Sequence, residues 1–534
     1  MPGKQGDRAH SPRVVVIGAG IGGLTAGALL AHRGYSVLML DQALVPGGCA
    51  STFKRQGFTF DVGATQVAGL EPGGIHHRIF SELEIELPAA THCDPACAVY
   101  LPGETTPINV WRDPQRWQAE RQRQFPGSEP FWQLLSDLFR HSWAFQSRDP
   151  VLPPRNGWDL WQLTKAVRPD TLLTLPHTFS TVGDALRGYG LADNQRLRTF
   201  LDLQLKLYSQ VDAEETALLY AATALGVSQE PQGLFHLHGS MQALSDRLVA
   251  ALERDGGKLL MRHTVKAIHT EKGRTTGVTI RNQKTGESWT EPVDHVVANV
   301  TVQNLMQLLG DQAPNGYQRR VEKLPPSSGA FVVYLGVDER ALPEDCPPHL
   351  QFLYDYEGPI GENNSLFVSV SRPGDGRAPE GKATIIASSF TDVGLWWEKG
   401  EVEGRRQKAE GRRQKIKLET QNSKLLTLNS FALLKQRYTD EAIARLSQFF
   451  TLNDETILLV EAATPRTFAH FTGRDRGIVG GIGQRVPTFG PFGFANRTPI
   501  RNLWLVGDST HPGEGTAGVS YSALTAVRQI EAGC

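Results

Sequence analysis

Cysteine is scarce. The five residues Cys49, Cys93, Cys97, Cys346 and Cys534 in a chain of 534 are odd in number and show no repeated metal-ligand spacing, which argues against a disulfide framework. Only Cys93 and Cys97 are close, as C-x3-C without a second pair, so a zinc site is disfavoured and buried thiols in a reducing compartment are the plain reading. His76 and His77 have no spaced carboxylate partner, so no metal is expected there either. A surplus of charge is also missing: Lys plus Arg is 55 against 56 Asp plus Glu, and the net charge of -1 gives no field to hold a phosphate backbone. Nucleic acid is therefore not expected as a partner. Nor does any nucleophile motif stand out.

With 40% hydrophobic and 21% charged residues, the chain can bury a sizeable core and lies outside the disordered range. Its length allows roughly three domain-sized lobes. Residues 14–31, VVVIGAGIGGLTAGALLA, carry no charge and follow Lys4, Arg8 and Arg13, imitating a membrane span or signal core. Five glycines and a β-branched start argue against both.

The same run has a better explanation. RVVVIG reads as a buried strand, a helix follows to about His32, and YSVLMLD ends a second strand at Asp41. Gly18, Gly20 and Gly23 form G-x-G-x-x-G between strand and helix, where glycine permits a tight turn and brings backbone amides close to a pyrophosphate. Asp41 lies eighteen residues after Gly23, where a carboxylate accepts from ribose hydroxyls.

NAD and FAD both use this device, and three features favour flavin. VPGGCASTF supplies a second glycine turn at Gly47 and Gly48. NLWLVGDS ends a late strand at Gly507 and Asp508, the latter placed for the ribityl or pyrophosphate region. HPGEGTAGVSYSALTAVRQIEA then approaches a final helix whose amino end would face the flavin N1 and O2 region, where reduced flavin is negative.

The expected fold is α/β: a Rossmann-like FAD-binding domain assembled from 12–70, 230–310 and 470–534, with a discontinuous mixed α+β substrate domain from 71–229 and 311–469. Six of the ten tryptophans fall in 111–161, in a helical lobe read as either a membrane-facing surface or an ordinary aromatic core. Short β-rich runs from residue 328 suggest one mixed or antiparallel sheet. EGRRQKA at 403–409 is repeated at once as EGRRQKI, so 399–430 reads as a solvated insertion, with contact to anionic lipid as the sharper alternative.

GAGIGGL, PGG, GFTFDVGA and GDSTHPGEG resemble the FAD-dependent amine oxidase and phytoene desaturase superfamily over nearly the whole chain. DVGATQVAGLEPGGIHHRIF and HPGEGTAGVSYSALTAVRQI are similar to the carotenoid desaturase and isomerase branch, and within it to cyanobacterial carotenoid 3',4'-desaturases. The resemblance implies FAD contacts at Gly18, Gly20, Gly23, Asp41, Gly47, Gly48 and Asp508. It also implies a backbone contact to adenine at Val265, and flavin-ring contacts at Gly515, Thr516, Ala517, Gly518 and Val519. Asp41 departs from the usual Glu, and Pro46 stands where many amine oxidases have Arg.

The implied chemistry is desaturation at the acyclic end of a monocyclic carotenoid, with hydride passing to flavin and a proton leaving the next carbon. Candidates for handling the proton or orienting substrate are Glu514, Arg466 and His511. No second dinucleotide motif is evident, so quinone or oxygen is the expected electron acceptor. A C40 substrate implies peripheral contact with a membrane surface, on its cytoplasmic side. The alternatives are a carotenoid cis-trans isomerase, a prenyl-binding chaperone resembling the Rab GDP-dissociation inhibitors, and an amine or porphyrinogen oxidase.

Overall fold

The computed structural model describes residues 11–397 and 416–533, excepting the side chains of 416–429. The repeat at 403–416 belongs to the expected insertion and lies almost wholly outside the described residues. The chain resumes in a helix over Ile416–Leu446, whose last turns bury Tyr438, Ala442 and Leu446.

Strand β1 (Arg13–Ile17) sits at the centre of a five-stranded parallel sheet. On one side it pairs with β2 (Ser36–Asp41), which pairs with Lys258–Met261; on the other lies His295–Ala298, then Leu503–Leu505. The strand alternation divides β1 between two cores. Val14 and Val16 pack with helix α1 (Ile21–His32), the helix Gln242–Arg254 and the terminal helix Thr516–Glu531. Val15 and Ile17 pack on the other face, against the meander His263–Glu271, Arg274–Asn282, Ser288–Pro292 and the helix Val302–Leu309. A strand buried on both faces must be apolar throughout, which is why VVVI carries no polar residue.

The second sheet has seven strands in the order Ile457–Ala463, Gly329–Asp338, Lys382–Thr391, Ser365–Val370, His349–Leu353, Cys97–Tyr100, Ile108–Val110. It is mixed: Cys97–Tyr100 runs parallel to His349–Leu353, and the other pairings are antiparallel. Its two end strands beyond His349 come from before residue 111, far from the β-rich region that the sequence marked. Period-2 alternation again sorts the side chains. Phe331, Val333, Leu366 and Val368 face a core closed by Tyr438 and Leu446. Ala330, Val332, Ser365 and Phe367 border a large cavity on the opposite face.

A helical lobe roofs that cavity. It includes helices α2 (Glu129–Gln146), α4 (Gln195–Ser209) and α5 (Leu218–Gly226), whereas α3 (Gly157–Ala166) is held against Arg497 and the terminal helix through Asp159. Trp117 and Trp132 pack edge to face at 5.8 Å beside Phe125 and Phe200, inside this lobe. Trp143 lines the cavity, and Trp161 is 59% exposed. The tryptophan cluster is therefore not one surface but is split between core, cavity and solvent.

A buried ionic cluster ties the loop between Ser365–Val370 and Lys382–Thr391 to Asp61 and to residues 236–241. Arg377 pairs with Asp61 at 3.0 Å and Asp375 at 3.1 Å, and donates to the Leu237 carbonyl at 2.8 Å. Asp61 also accepts from the Met241 amide at 2.8 Å, while His236 meets Asp375 at 3.1 Å.

Candidate functional site

A single cavity of about 890 Å³ runs from the glycine turn after β1 to the underside of the helical lobe. At its nucleotide end, the β1–α1 turn puts Gly18 at φ +94, and a Cβ there would lie 2.5 Å from the Asn299 carbonyl oxygen. Only glycine fits such a position. Helix α1 starts at Gly20 without a side-chain cap and without an acid in its first turn. Its free amides and positive end therefore suit an anion.

Gly18, Gly20, Asp41, Gly47, Gly48 and Val265 all line this end. Gly23 does not. Its Cβ would meet the Gly18 carbonyl oxygen at 2.0 Å, so this glycine lets helix and turn pack together and makes no wall. Asp41 accepts from the Ala19 amide at 2.6 Å and the Ala43 amide at 2.7 Å, one on each oxygen. Each oxygen retains a lone pair for a ribose hydroxyl. Burial raises its pKa and those two amides oppose the rise. Val265 sits beside a bulge in the strand His263–Glu271, in a wall of 263–266.

Midway, Asp508 pairs with Arg474 at 2.7 Å, and Arg474 Nε donates to the Ile478 carbonyl at 2.7 Å. Gly515, Thr516, Ala517, Gly518 and Val519 form the wall where the terminal helix begins, again without a side-chain cap or first-turn acid. Two uncapped helix ends, glycine-lined walls and a carboxylate at the ribose position fit an extended dinucleotide, so these residues would hold FAD.

Past this point the wall becomes apolar. Leu203, Leu207 and Tyr208 come from α4 or its turn, Tyr220 and Ala224 from α5, and Val332, Phe367 and Phe390 from the seven-stranded sheet. At the junction Glu514 accepts from Gln210 at 2.9 Å. Lys206, one helical turn before Gln210, donates to the Gln210 carbonyl at 3.0 Å and to Ser328 at 3.2 Å, and burial lowers its pKa.

Two sequence candidates lie elsewhere. Arg466 is not in the cavity wall: its Nε donates to the Trp396 carbonyl at 2.5 Å and its guanidinium stacks over Phe431 and Trp397. His511 is buried against Gln146 at 2.8 Å and behind the wall, and burial lowers its pKa to about 4. Both assignments came from sequence proximity to cavity segments, and side-chain packing turns both away.

Four wall-forming or wall-holding residues carried no motif. Lys206 and Gln210 share one helix face at i, i+4 spacing, which reads in sequence as an ordinary polar stripe. Arg474 sits in a charged turn, GRDRG. Asn299 follows the strand His295–Ala298 and donates to the Gly18 carbonyl at 3.3 Å.

The family profile described as "Flavin containing amine oxidoreductase" matches residues 21–414. Prolycopene isomerase 1, chloroplastic, of an Oncidium hybrid cultivar is 26% identical over 98% of this chain and 85% of its own length. The zeta-carotene-forming phytoene desaturase of Myxococcus xanthus is 25% identical over 97% of this chain and 93% of its own. Among solved structures, cyclohexylamine oxidase from Brevibacterium oxydans IH-35A shares the fold with a TM-score of 0.56 at 17% identity, covering 98% of this chain and 100% of that one.

Proposed function

Since the chain belongs to the flavin containing amine oxidoreductase family, an FAD-dependent oxidoreductase, we propose that it is a carotenoid desaturase forming the C-3',4' double bond at the acyclic end of a monocyclic carotenoid. The observation that carries this reading is the continuity of the cavity, in which a dinucleotide cradle opens directly into an apolar wall. FAD, when bound, supplies a two-electron hydride acceptor. The chain supplies orientation and exclusion of water. Val332 and Phe367 form a floor, Leu203 and Leu207 a roof, and a polyene between them is held by packing alone. Quinone or oxygen is the proposed acceptor that returns FAD to its oxidised form.

A C40 polyene reaches this cavity from lipid, and the exposed surface supports contact with a membrane. Leu160 and Trp161 on α3, then Leu172, Leu173, Leu175 and Phe179 just beyond it, are all exposed, Phe179 by 72%. Exposed Lys165 and Arg168 lie among them. Of the acids in this stretch, Asp159 is buried against Arg497 and the partly exposed Asp170 is paired with Arg148, leaving Lys165 and Arg168 as a basic rim around an apolar patch. Among the described residues no helix is long and apolar enough to cross a membrane. The proposed location is peripheral, on the cytoplasmic side.

The test is pigment mass and absorption after expression in bacteria that accumulate a monocyclic carotenoid with an acyclic end, beside a Gly20→Val control. Loss of two hydrogens with a red-shifted spectrum, absent in the control, is expected. The second reading is cis-trans isomerisation, favoured by the extent of the match to the Oncidium protein. Unchanged mass with an altered isomer ratio would replace the first reading with the second.

A further inference from the structure

Glu514 stands where the dinucleotide wall meets the apolar wall, in the turn before the terminal helix. Its Oε2 accepts from Gln210 Nε2 at 2.9 Å. Its Oε1 is buried without a hydrogen-bond partner, and Glu514 forms no ion pair among the described residues. The nearby cations are engaged elsewhere, Lys206 with Gln210 and Ser328 and Arg474 with Asp508 and Ile478.

The chain makes room for this contact. Gly480 adopts φ +72, and a Cβ there would lie 2.2 Å from both Gln210 Nε2 and Glu514 Oε2. Gln210 itself ends α4 in the left-handed region at φ 67, uncommon for a residue with a side chain. A positive-φ glycine and a glutamine in the uncommon left-handed region thus converge on one carboxyl group that forms no ion pair among the described residues.

A buried carboxyl with a single neutral donor favours its protonated form. Burial, reinforced by the charge of Asp508, pushes the Glu514 pKa well above the usual carboxylate range, and Gln210, Arg474 and Lys206 oppose this only in part. Tyr220 also faces it electrostatically, with its own pKa raised by burial and by Glu514. Other titratable groups of the wall are committed or unsuited: Asp41 to two backbone amides, Asp508 to Arg474, Arg78 to Asp149, and Cys49 is a thiol whose pKa is raised by burial.

We propose that Glu514 is the catalytic residue that takes the proton from the carotenoid. The inference rests on the desaturase reading. As the hydride leaves one carbon for FAD, the C–H bond of the adjacent carbon breaks and its electron pair becomes the new π bond. The proton forms an O–H bond on Glu514 in those molecules where its carboxyl has first been ionised, the form that grows as pH rises toward and through its raised pKa. The carotenoid is oxidised by two electrons, which bound FAD would take up with the hydride, and Glu514 later releases the proton to water. A carboxylate of raised pKa is a stronger base than an ordinary one, so turnover rises with pH through that pKa.

The experiment compares wild-type holoenzyme with Glu514→Gln, which keeps the side chain's size, at equal flavin occupancy. Expected are a kcat lower by about 10²-fold or more with KM little changed, and loss of the rising limb of the pH profile. A readout independent of turnover is the infrared band of a protonated carboxyl, present in wild type, shifted in D2O, absent from Glu514→Gln and lost on the same pH limb. Turnover within about threefold of wild type, or a wild-type spectrum without that band, overturns the proposal. A wild type that carries the band but alters no carotenoid would instead sink the functional reading, while the infrared titration still decides the state of Glu514.

Discussion

The side-chain amide of Asn299 donates to the Gly18 carbonyl at 3.3 Å and also stands 2.9 Å from where a Cβ would be at Gly20, Gly22 and Gly507. One short polar side chain thus fills the space left by glycines from both ends of the chain. Replacing it by alanine removes one half-buried hydrogen bond, worth about 1 kcal/mol, and frees the turn to shift. Asn299→Ala should bind FAD roughly tenfold more weakly, read from the flavin fluorescence released on dilution. An unchanged Kd would mean that the glycines hold the turn unaided.

Gly23 makes a second case, this time of contact between backbones. A methyl at Gly23 would lie 2.0 Å from the Gly18 carbonyl oxygen, whereas at Gly316 nothing lies within 4 Å. Gly23→Ala should lower stability by about 1–3 kcal/mol through overpacking and reduce flavin content. Gly316→Ala should be neutral or gain up to about 1 kcal/mol. Thermal unfolding of both purified variants checks the contrast.

The Arg377 cluster makes the structure sensitive to acid. Burial tends to raise the Asp375 pKa, but hydrogen bonds from His236 and the Arg372 and Arg377 amides, with the Arg377 charge, hold it at about 2. A carboxyl depressed from 3.8 on folding stabilises above pH 4, and that contribution, about 2 kcal/mol, fades as pH falls through 2. Asp375→Asn should flatten the acid limb of Tm against pH. Arg377→Ala should cost about 3–5 kcal/mol at neutral pH, because Asp61 is left buried and unpaired.

The apolar patch beyond α3 predicts membrane affinity without a change in the cofactor site. Phe179→Asp combined with Leu173→Asp should weaken co-sedimentation with anionic vesicles by at least tenfold, given about 1.5–3 kcal/mol per large apolar side chain buried. Flavin absorbance should stay at the wild-type level. Vesicle binding that survives the double substitution would move the contact to another face.

Much of the nucleotide end was legible because its chemistry is local. VVVIG, the glycine spacing and Asp41 lie within one βαβ unit, and each residue type is required by backbone geometry. The roof was not legible. Lys206, Gln210 and Glu514 meet only because α4 ends over the turn at 512–515, a relationship between segments some three hundred residues apart. Arg466 was misread for the same reason in reverse: an arginine near a cavity segment is committed to Trp396 and two aromatic rings by packing that sequence does not display. The tryptophans of 111–161 looked alike as a composition, yet helix faces sorted Trp117 and Trp132 into the core, Trp143 into the cavity wall and Trp161 to the surface.

The strand order of the parallel sheet sets a timetable for the cofactor. β1 is made first, but its neighbour His295–Ala298 comes some 280 residues later, and the edge strand Leu503–Leu505 and the wall at 515–519 later still. The cradle is thus a long-range construction: the glycine fingerprint is local, but the walls that face it across the cavity come from segments some 250 to 500 residues further on.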